Sequence, residues 1–158
     1  GDLVMDMKIE EIPPYRIAYI RKIGAYGATN METMEKLKSW AKSNGLFSDE
    51  KATLLAIAHD NPSITVPENC RYDACVVLSN DYQIESNDQV VEGKIFGGKY
   101  VVFKIKHTVE EIQKIWYEAI PYLLNHGYRI DETKPIFERY VLEMLNNHYC
   151  EFCVPIYS

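Results

Sequence analysis

The sequence predicts an α+β domain built from two copies of a strand–helix–strand–strand unit, which form an antiparallel-sheet domain around a pseudo-twofold axis. The main observation is an internal repeat: GLFSDEKATLLAIA at residues 45–58 aligns without gaps with GYRIDETKPIFERY at residues 127–140, an offset of 82. Upstream, PPYRIAYI at 13–20 is similar to GKYVVFKI at 98–105. One unit covers a single sheet face with one helix and is marginal alone. We therefore expect two copies to pack together, with two main helices and a central pocket near the axis.

Both predicted helices open with a Thr-x-x-Glu capping box, Thr29 to Glu32 in the first half and Thr108 to Glu111 in the second. In this motif the threonine hydroxyl accepts a hydrogen bond from one of the first unpaired backbone amides of the helix. Apolar residues then follow at helical spacing: Met31, Met34, Leu37 and Ala41 in the first helix, and Ile112, Ile115, Trp116, Ala119 and Leu123 in the second. These positions are predicted to face the sheet.

Glycines mark the ends of both helices, at Asn44-Gly45 and at His126-Gly127, as is usual for a left-handed helix stop. Pro121, inside the second helix, should bend it or remove one backbone hydrogen bond. Two strands are predicted after each helix: Lys51 to His59 and Tyr72 to Leu78 in the first half, and Pro135 to Val141 and Glu151 to Ile156 in the second. The order strand, helix, strand, strand therefore occurs twice.

A single domain over residues 1–158 is expected, with repeats at about 7–79 and 90–157. The connector at 79–97 is polar at first and then contains QVVEGKIF, a candidate extra strand that would tie the halves together. The chain starts with Gly1 rather than Met, and two interpretations stay open: a cleavage scar or the cut edge of a longer polypeptide.

Composition argues against several classes of protein. The net charge is −6, and no Lys/Arg cluster is longer than Arg21-Lys22, so direct nucleic-acid binding is not expected. No apolar run approaches the roughly 20 residues that a membrane span needs, and the N-terminus lacks the pattern of a signal peptide. We expect a soluble, cytoplasmic protein without membrane contact.

The cysteines are predicted to be buried, reduced thiols. They form two pairs, Cys70 with Cys75 and Cys150 with Cys153, in stretches that resemble strands. Residues three apart on a strand point to opposite faces and cannot easily share a metal ion. The histidines at 59, 107, 126 and 148 are scattered, and no Ser or Cys nucleophile motif is present. Neither a metal nor a cofactor is expected.

PIFERY, residues 135–140, is predicted to be a strand and yet carries Glu138 in its middle. Glutamate is unfavourable in strands and costly to bury without a partner. In the first half, the equivalents of Glu138 and Arg139 are Ala56 and Ile57, so the fold does not require charges there. Because neighbouring strand residues face opposite sides of a sheet, at least one of the two charges should be shielded from water, although Arg139 could extend to solvent. Such departures from a local plan are where function is expected.

A carboxylate among aromatic rings would attract a large, flat organic cation through charge pairing and cation–π contacts. Tyr140 shares the face of Glu138, and Tyr26, between two glycines in GAYGAT, is on the surface or at the rim of the cleft. The alternative is that Glu138 faces solvent and that the aromatic residues, Trp116 included, belong to the core.

Several separate motifs resemble the gyrase-inhibitor-like family, also known as the effector-binding domain of AraC-type and MerR-type transcription regulators. They are RKIGAYG at 21–27, HDNPSITVPENCRYDAC at 59–75, GGKYVVFK at 97–104, and PIFERY followed by CVPI at 153–156. The resemblance implies a hydrophobic pocket between the halves with one glutamate at its base, which maps onto Glu138. The aromatic walls map onto Trp116, Tyr26 and Tyr140.

The resemblance leaves three functions open. The first, which we favour, is a sensor domain that binds lipophilic, often cationic, small molecules and signals to a DNA-binding helix-turn-helix in the parent chain. The second is a hydrolase of reactive cyclopropane-bearing compounds, in which Glu138 would activate water and Tyr26 or Tyr140 would act as proton donor. The third is an inhibitor of DNA gyrase that acts through protein contacts.

Overall fold

The computed structural model describes residues 5–85 and 89–158. The strands are β1 (Met7–Ile12), β2 (Tyr15–Ile23), β3 (Thr53–Ala58), β4 (Arg71–Leu78), β5 (Val91–Ile95), β6 (Gly98–Lys106), β7 (Phe137–Val141) and β8 (Tyr149–Pro155). The helices are α1 (Ala28–Ser43), α2 (Val109–Asn125) and the short α3 (Leu142–Asn146). A 3-10 turn, Pro67–Asn69, lies between β3 and β4.

All eight strands form one antiparallel sheet in the order β1-β6-β8-β7-β3-β4-β2-β5. The two halves meet where β3 pairs with β7, and the register there places Ala56 opposite Glu138. These two residues are also equivalent in the sequence repeat, so the pseudo-twofold axis passes between them. The predicted α+β fold with two strand–helix–strand–strand units is confirmed.

Each half has one strand in addition to its strand–helix–strand–strand unit. The extra strand expected in the connector is β5, whereas β1 was missed by the sequence analysis. β1 pairs with β6 of the second half, and β5 pairs with β2 of the first half, so each half supplies an edge strand to the other. Pro13 and Pro14 alone join β1 to β2, although these strands lie near opposite ends of the sheet order. The sheet must therefore curl until its two ends approach each other.

The curled sheet has a different core on each face. One face lies away from the two long helices α1 and α2 and is called the helix-free face for that reason. It buries one cluster: Ile12, Ile17, Leu55, Ile57, Cys75, Ile95, Tyr100, Val102, Phe137 and Cys153. On the other face, α1 covers the first half through Leu37 and Ala41, and α2 covers the second half through Ile115 and Leu123. The space between the two helices, above β3 and β7, is where the predicted site residues fall.

The duplication extends to single hydrogen bonds in the turn after each helix. Gly45 and Gly127 both have positive φ, 69° and 85°, as the predicted helix stops require. The amide of Lys51 donates to the Asp49 carboxylate at 2.8 Å, and the equivalent amide of Thr133 donates to Asp131 at 3.0 Å. Such matched turns hold β3 and β7 in equivalent positions.

One of the two predicted capping boxes is wrong. The Thr108 hydroxyl accepts a hydrogen bond from the amide of Glu111 at 3.1 Å, which confirms the cap of α2. In the first half, by contrast, α1 begins at Ala28 after Gly27, so Thr29 lies inside the first turn. There its hydroxyl accepts a hydrogen bond from Lys22 Nζ at 2.8 Å instead of capping the helix.

Helix faces and strand starts differ in detail from the sequence predictions. Met31 was predicted to face the sheet but is 72% exposed, while Thr33 on the same helix is buried. The chain remains helical through Pro121 up to Asn125. β7 begins at Phe137 rather than at the predicted proline, because proline cannot donate a ladder hydrogen bond.

All four cysteines are buried thiols. The predicted connector at 79–97 includes residues 86–88, which lie outside the described residues. Among the described helices, none combines the length and the apolar character needed to cross a membrane.

Candidate functional site

Glu138 is half-buried in the middle of β7, and its side chain points to the helix-covered face. Trp116, on α2, donates its Nε1–H to Glu138 Oε2 at 2.8 Å. The Tyr140 hydroxyl, two residues along β7, donates to Oε1. Both carboxylate oxygens thus accept a hydrogen bond from an aromatic side chain, and three of the four predicted site residues come together.

The two aromatic donors are positioned by other rings. Trp116 packs edge-on against Phe152 of β8, with ring centroids 4.8 Å apart, and is 37% exposed. Tyr140 packs edge-on against His107 at 5.4 Å. Burial, followed by the negative charge of Glu138 and the hydrogen bond to it, raises the pKa of Tyr140, so its hydroxyl stays a proton donor at neutral pH.

Groups from both halves surround the carboxylate. Ala56 lies opposite Glu138 in the sheet register, and Ala74 and Tyr72 belong to the same buried cluster as Ala56. Burial, and then the charge of Glu138, raises the pKa of Tyr72 and raises that of Cys150 to about 12. Tyr72 is not among the site residues predicted from the sequence. It lies two residues before Ala74 and so on the same face of the predicted strand, and this spacing was the signal that could have identified it.

Tyr26 is not brought to the carboxylate through its hydroxyl. That hydroxyl donates to the carbonyl of Arg71 at 2.7 Å and accepts from the amide of Asp60 at 3.1 Å. The Tyr26 ring packs against the buried cluster that contains Ala56. Tyr26 therefore ties the turn before α1 to the loop between β3 and β4.

Arg139 points to the opposite, helix-free face, as the strand alternation predicts. It is 6% exposed and does not extend to solvent, so at least one of the two neighbouring charges is shielded, as the sequence predicts. Its guanidinium donates to Glu151 at 2.8 Å, to both oxygens of Glu10 at 2.8 and 3.0 Å, and to the Tyr15 hydroxyl at 3.2 Å. Burial opposes the charge of Arg139, but the hydrogen bonds to the two carboxylates raise its pKa. The same hydrogen bonds lower the pKa of Glu10.

A second polar cluster occupies the helix-free side of the first half. Asp73 accepts two hydrogen bonds from Arg21, both at 2.8 Å, and one from His59 at 2.7 Å. Burial would raise the pKa of Asp73, yet these partners lower it. Because every charged group here has a partner within the chain, the arrangement is typical of structural ion pairing.

Within residues 5–85 and 89–158, Glu138 belongs neither to a cluster of metal ligands nor to the lining of the two described cavities. In residues 5–85 and 89–158, no group of three or more His, Cys, Asp or Glu side chains could hold a metal ion. Two cavities, of about 330 and 440 Å³, open elsewhere, beside Lys104 and Tyr149, and neither includes Glu138 in its lining. At Glu138 itself, the side chains of Trp116 and Tyr140 contact the carboxylate directly.

A model of one protein family, described as the GyrI-like small molecule binding domain, matches residues 5–157. The chain therefore belongs to the GyrI-like family, and the resemblance inferred from its motifs is confirmed. YosT of Bacillus subtilis strain 168, an SPbeta prophage-derived candidate transcriptional regulator, is 43% identical over 96% of this chain and 99% of its own length. A DNA gyrase inhibitor of Escherichia coli K12 is 26% identical over 87% of this chain and 86% of that protein.

Solved structures share the fold at low sequence identity. The C-terminal domain of EcmrR superposes with a TM-score of 0.76 at 15% identity, over 99% of both chains. In the EcmrR–DNA complex, the match has a TM-score of 0.74 and covers 97% of this chain but 57% of the EcmrR chain. SAV2435, solved bound to tetraphenylphosphonium, superposes with a TM-score of 0.61 at 15% identity, over 98% of this chain and 95% of that one.

Proposed function

We propose that this chain is the sensor domain of a bacterial transcription regulator and that it binds lipophilic, often cationic, small molecules of varied structure, a multidrug type of specificity. One observation carries the proposal: the Glu138 carboxylate lies between Trp116 and Tyr140 on the helix-covered face, at the axis where the other half has Ala56. Binding of tetraphenylphosphonium by a protein of the same fold supports this ligand class.

The site offers a flat cation two kinds of attraction. Glu138 supplies a negative charge in partly desolvated surroundings, where a charge pair is stronger than in bulk water. The faces of Trp116 and Tyr140 each add a cation–π contact of about 0.5 to 2 kcal/mol. Tyr26 would form the rim through its ring, since its hydroxyl is held by Arg71 and Asp60.

Signalling would follow from a change in the population of two states of an attached module. A ligand that binds one state of a regulator more tightly shifts the equilibrium toward that state. The description of YosT, which matches over 99% of its own length, supports a role in transcription regulation. The EcmrR–DNA complex, in which this fold covers 57% of the EcmrR chain, supports a DNA-binding helix-turn-helix elsewhere in a parent chain.

The test is a calorimetric titration with tetraphenylphosphonium, using the wild type, Glu138→Gln and the exposed control Glu132→Gln, followed by mass analysis of the recovered ligand. We expect Glu138→Gln to weaken binding by about 1 kcal/mol or more, which is about fivefold, while the control binds like the wild type. Equal binding by all three proteins would refute the role of Glu138. Chemical conversion of an added cyclopropane-bearing compound, lost in Glu138→Gln, would instead support the hydrolase.

Gyrase inhibition is the second candidate, because the Escherichia coli relative is named for it. That activity would rest on a protein contact surface rather than on the pocket. Its signature is a stable complex between this chain and DNA gyrase that survives the Glu138→Gln substitution. No complex at micromolar concentrations of both proteins would count against it.

A further inference from the structure

The hydrogen bonds at Glu138 bear on which cations the pocket accepts, and the inference rests on the cation pocket proposed above. We propose that the pocket selects cations without N–H donors, such as quaternary ammonium and phosphonium ions, over protonated amines with the same aromatic body. The basis is that Oε2 already accepts from Trp116 Nε1 at 2.8 Å and Oε1 accepts from the Tyr140 hydroxyl.

A protonated primary amine has to compete for acceptors at this site, because each oxygen of Glu138 already accepts one of about two possible hydrogen bonds. Its three N–H donors are strongly hydrated, and burying them without new acceptors is unfavourable. Among the other nearby side chains, those of Ala56, Ala74 and Phe152 are hydrocarbon, and Tyr72 adds a single hydroxyl. To reach Glu138, the ammonium must share an oxygen with an aromatic donor or displace a side chain that is itself part of the pocket wall.

A cation without N–H donors avoids this competition. It needs only the nearby negative charge and the aromatic faces, so both hydrogen bonds to Glu138 can stay in place. Trp116 is 37% exposed, which leaves part of its indole accessible to such a ligand. The raised pKa of Tyr140 keeps its hydroxyl protonated, so its hydrogen bond to Oε1 stays in place at neutral pH.

The experiment compares two ligands that share one ring system and one positive charge, (1-naphthylmethyl)trimethylammonium and (1-naphthylmethyl)ammonium. Their dissociation constants are measured for the wild type, Trp116→Phe, Tyr140→Phe and the control Tyr117→Phe, whose side chain is 85% exposed on the same helix. We expect the wild type to prefer the trimethylammonium ion by about tenfold. Each pocket variant opens one carboxylate oxygen, so the preference should fall at least about threefold, whereas the control should keep it.

The ratio of two affinities in one protein does not depend on how much of that protein is folded, so a destabilised variant still gives an answer. Equal or tighter binding of the primary ammonium by the wild type would overturn the selectivity while leaving the cation pocket standing. An unchanged ratio in both pocket variants would also overturn it. Binding of neither ligand by the wild type would overturn the cation pocket itself.

Discussion

The two halves share their backbone plan but present opposite kinds of side chain to the space between the helices. At three positions related by the offset of 82, the first half has Met34, Ala56 and Ala58, and the second half has Trp116, Glu138 and Tyr140. At these three positions the first half thus supplies apolar and mostly small side chains, and the second half supplies charge and aromatic rings; the first half adds aromatic rings elsewhere, at Tyr26 and Tyr72. Since the equivalent strand of the first half forms with Ala56 at this position, the fold does not require a carboxylate there.

The helix-free faces differ in a second way. In the second half, Arg139 is a buried cation between two carboxylates, Glu10 and Glu151. In the first half, Asp73 is a buried anion with Arg21 and His59 as partners. Both clusters stabilise the sheet only while every charged group has its partner. Removing the central charge of either cluster should therefore lower the free energy of unfolding.

The largest expected effect is the loss of Arg139. Arg139→Met leaves Glu10 and Glu151 without their shared cation, which should lower the free energy of unfolding by about 3 to 5 kcal/mol. Arg16→Met, which breaks a more exposed pair with Glu92, should cost about 1 kcal/mol or less. Urea unfolding at neutral pH measures both. Similar losses in the two variants would contradict the distinction between buried and exposed ion pairs.

A glutamate on both sides of the pseudo-twofold axis should also destabilise the folded protein. Ala56→Glu places a second carboxylate directly opposite Glu138, where two negative charges repel, and should cost about 2 kcal/mol at pH 7. Ala56→Gln is the matched control of similar size. The difference between the two variants should shrink as the pH falls, because repulsion favours protonation of one carboxylate. A difference that is unchanged down to pH 4 would argue against electrostatic repulsion.

At acidic pH, a smaller loss in the free energy of unfolding is expected from Asp73 and its ion pairs in the first half. The pKa of Asp73 is lowered from its usual 3.8, so the folded state holds this proton less tightly than the unfolded state. Its contribution to stability is therefore complete above about pH 4 and is lost as the pH falls through the lowered pKa. Asp73→Asn should show a shallower decline in the free energy of unfolding between about pH 4 and 2, whereas the exposed control Asp81→Asn should decline like the wild type.

The smallest expected difference in stability between the halves concerns the N-terminal caps of α1 and α2. Thr108→Ala removes the side-chain cap of α2 and should lower the free energy of unfolding by about 1 kcal/mol. Thr29→Ala, at the sequence-similar motif that does not cap α1, should change it by about 0.5 kcal/mol or less. Thermal unfolding of both variants decides the point, and equal losses would mean that Thr29 does cap its helix in solution.

Local patterns and the repeat predicted much of this structure. The repeat identified Glu138 because it also supplied Ala56 as the reference, and strand alternation placed Arg139 on the other face. The partners of Arg139 were missed because Glu10 lies in β1, a strand rich in charged residues, and 129 positions away in sequence. The Thr29 motif was misleading because it is a local pattern, whereas the start of α1 is set by Gly27, whose φ of 151° only glycine adopts easily.

The pairing of Ala56 with Glu138 at the pseudo-twofold axis limits how a site with a single carboxylate can form. A chain with a single repeat would have to assemble as a strand-exchanged homodimer to build the same sheet, and its axis would pair one position with its own copy. Any glutamate there would face a second, identical glutamate. A solitary carboxylate at the centre therefore requires two copies in one chain, so that position 138 can differ from position 56.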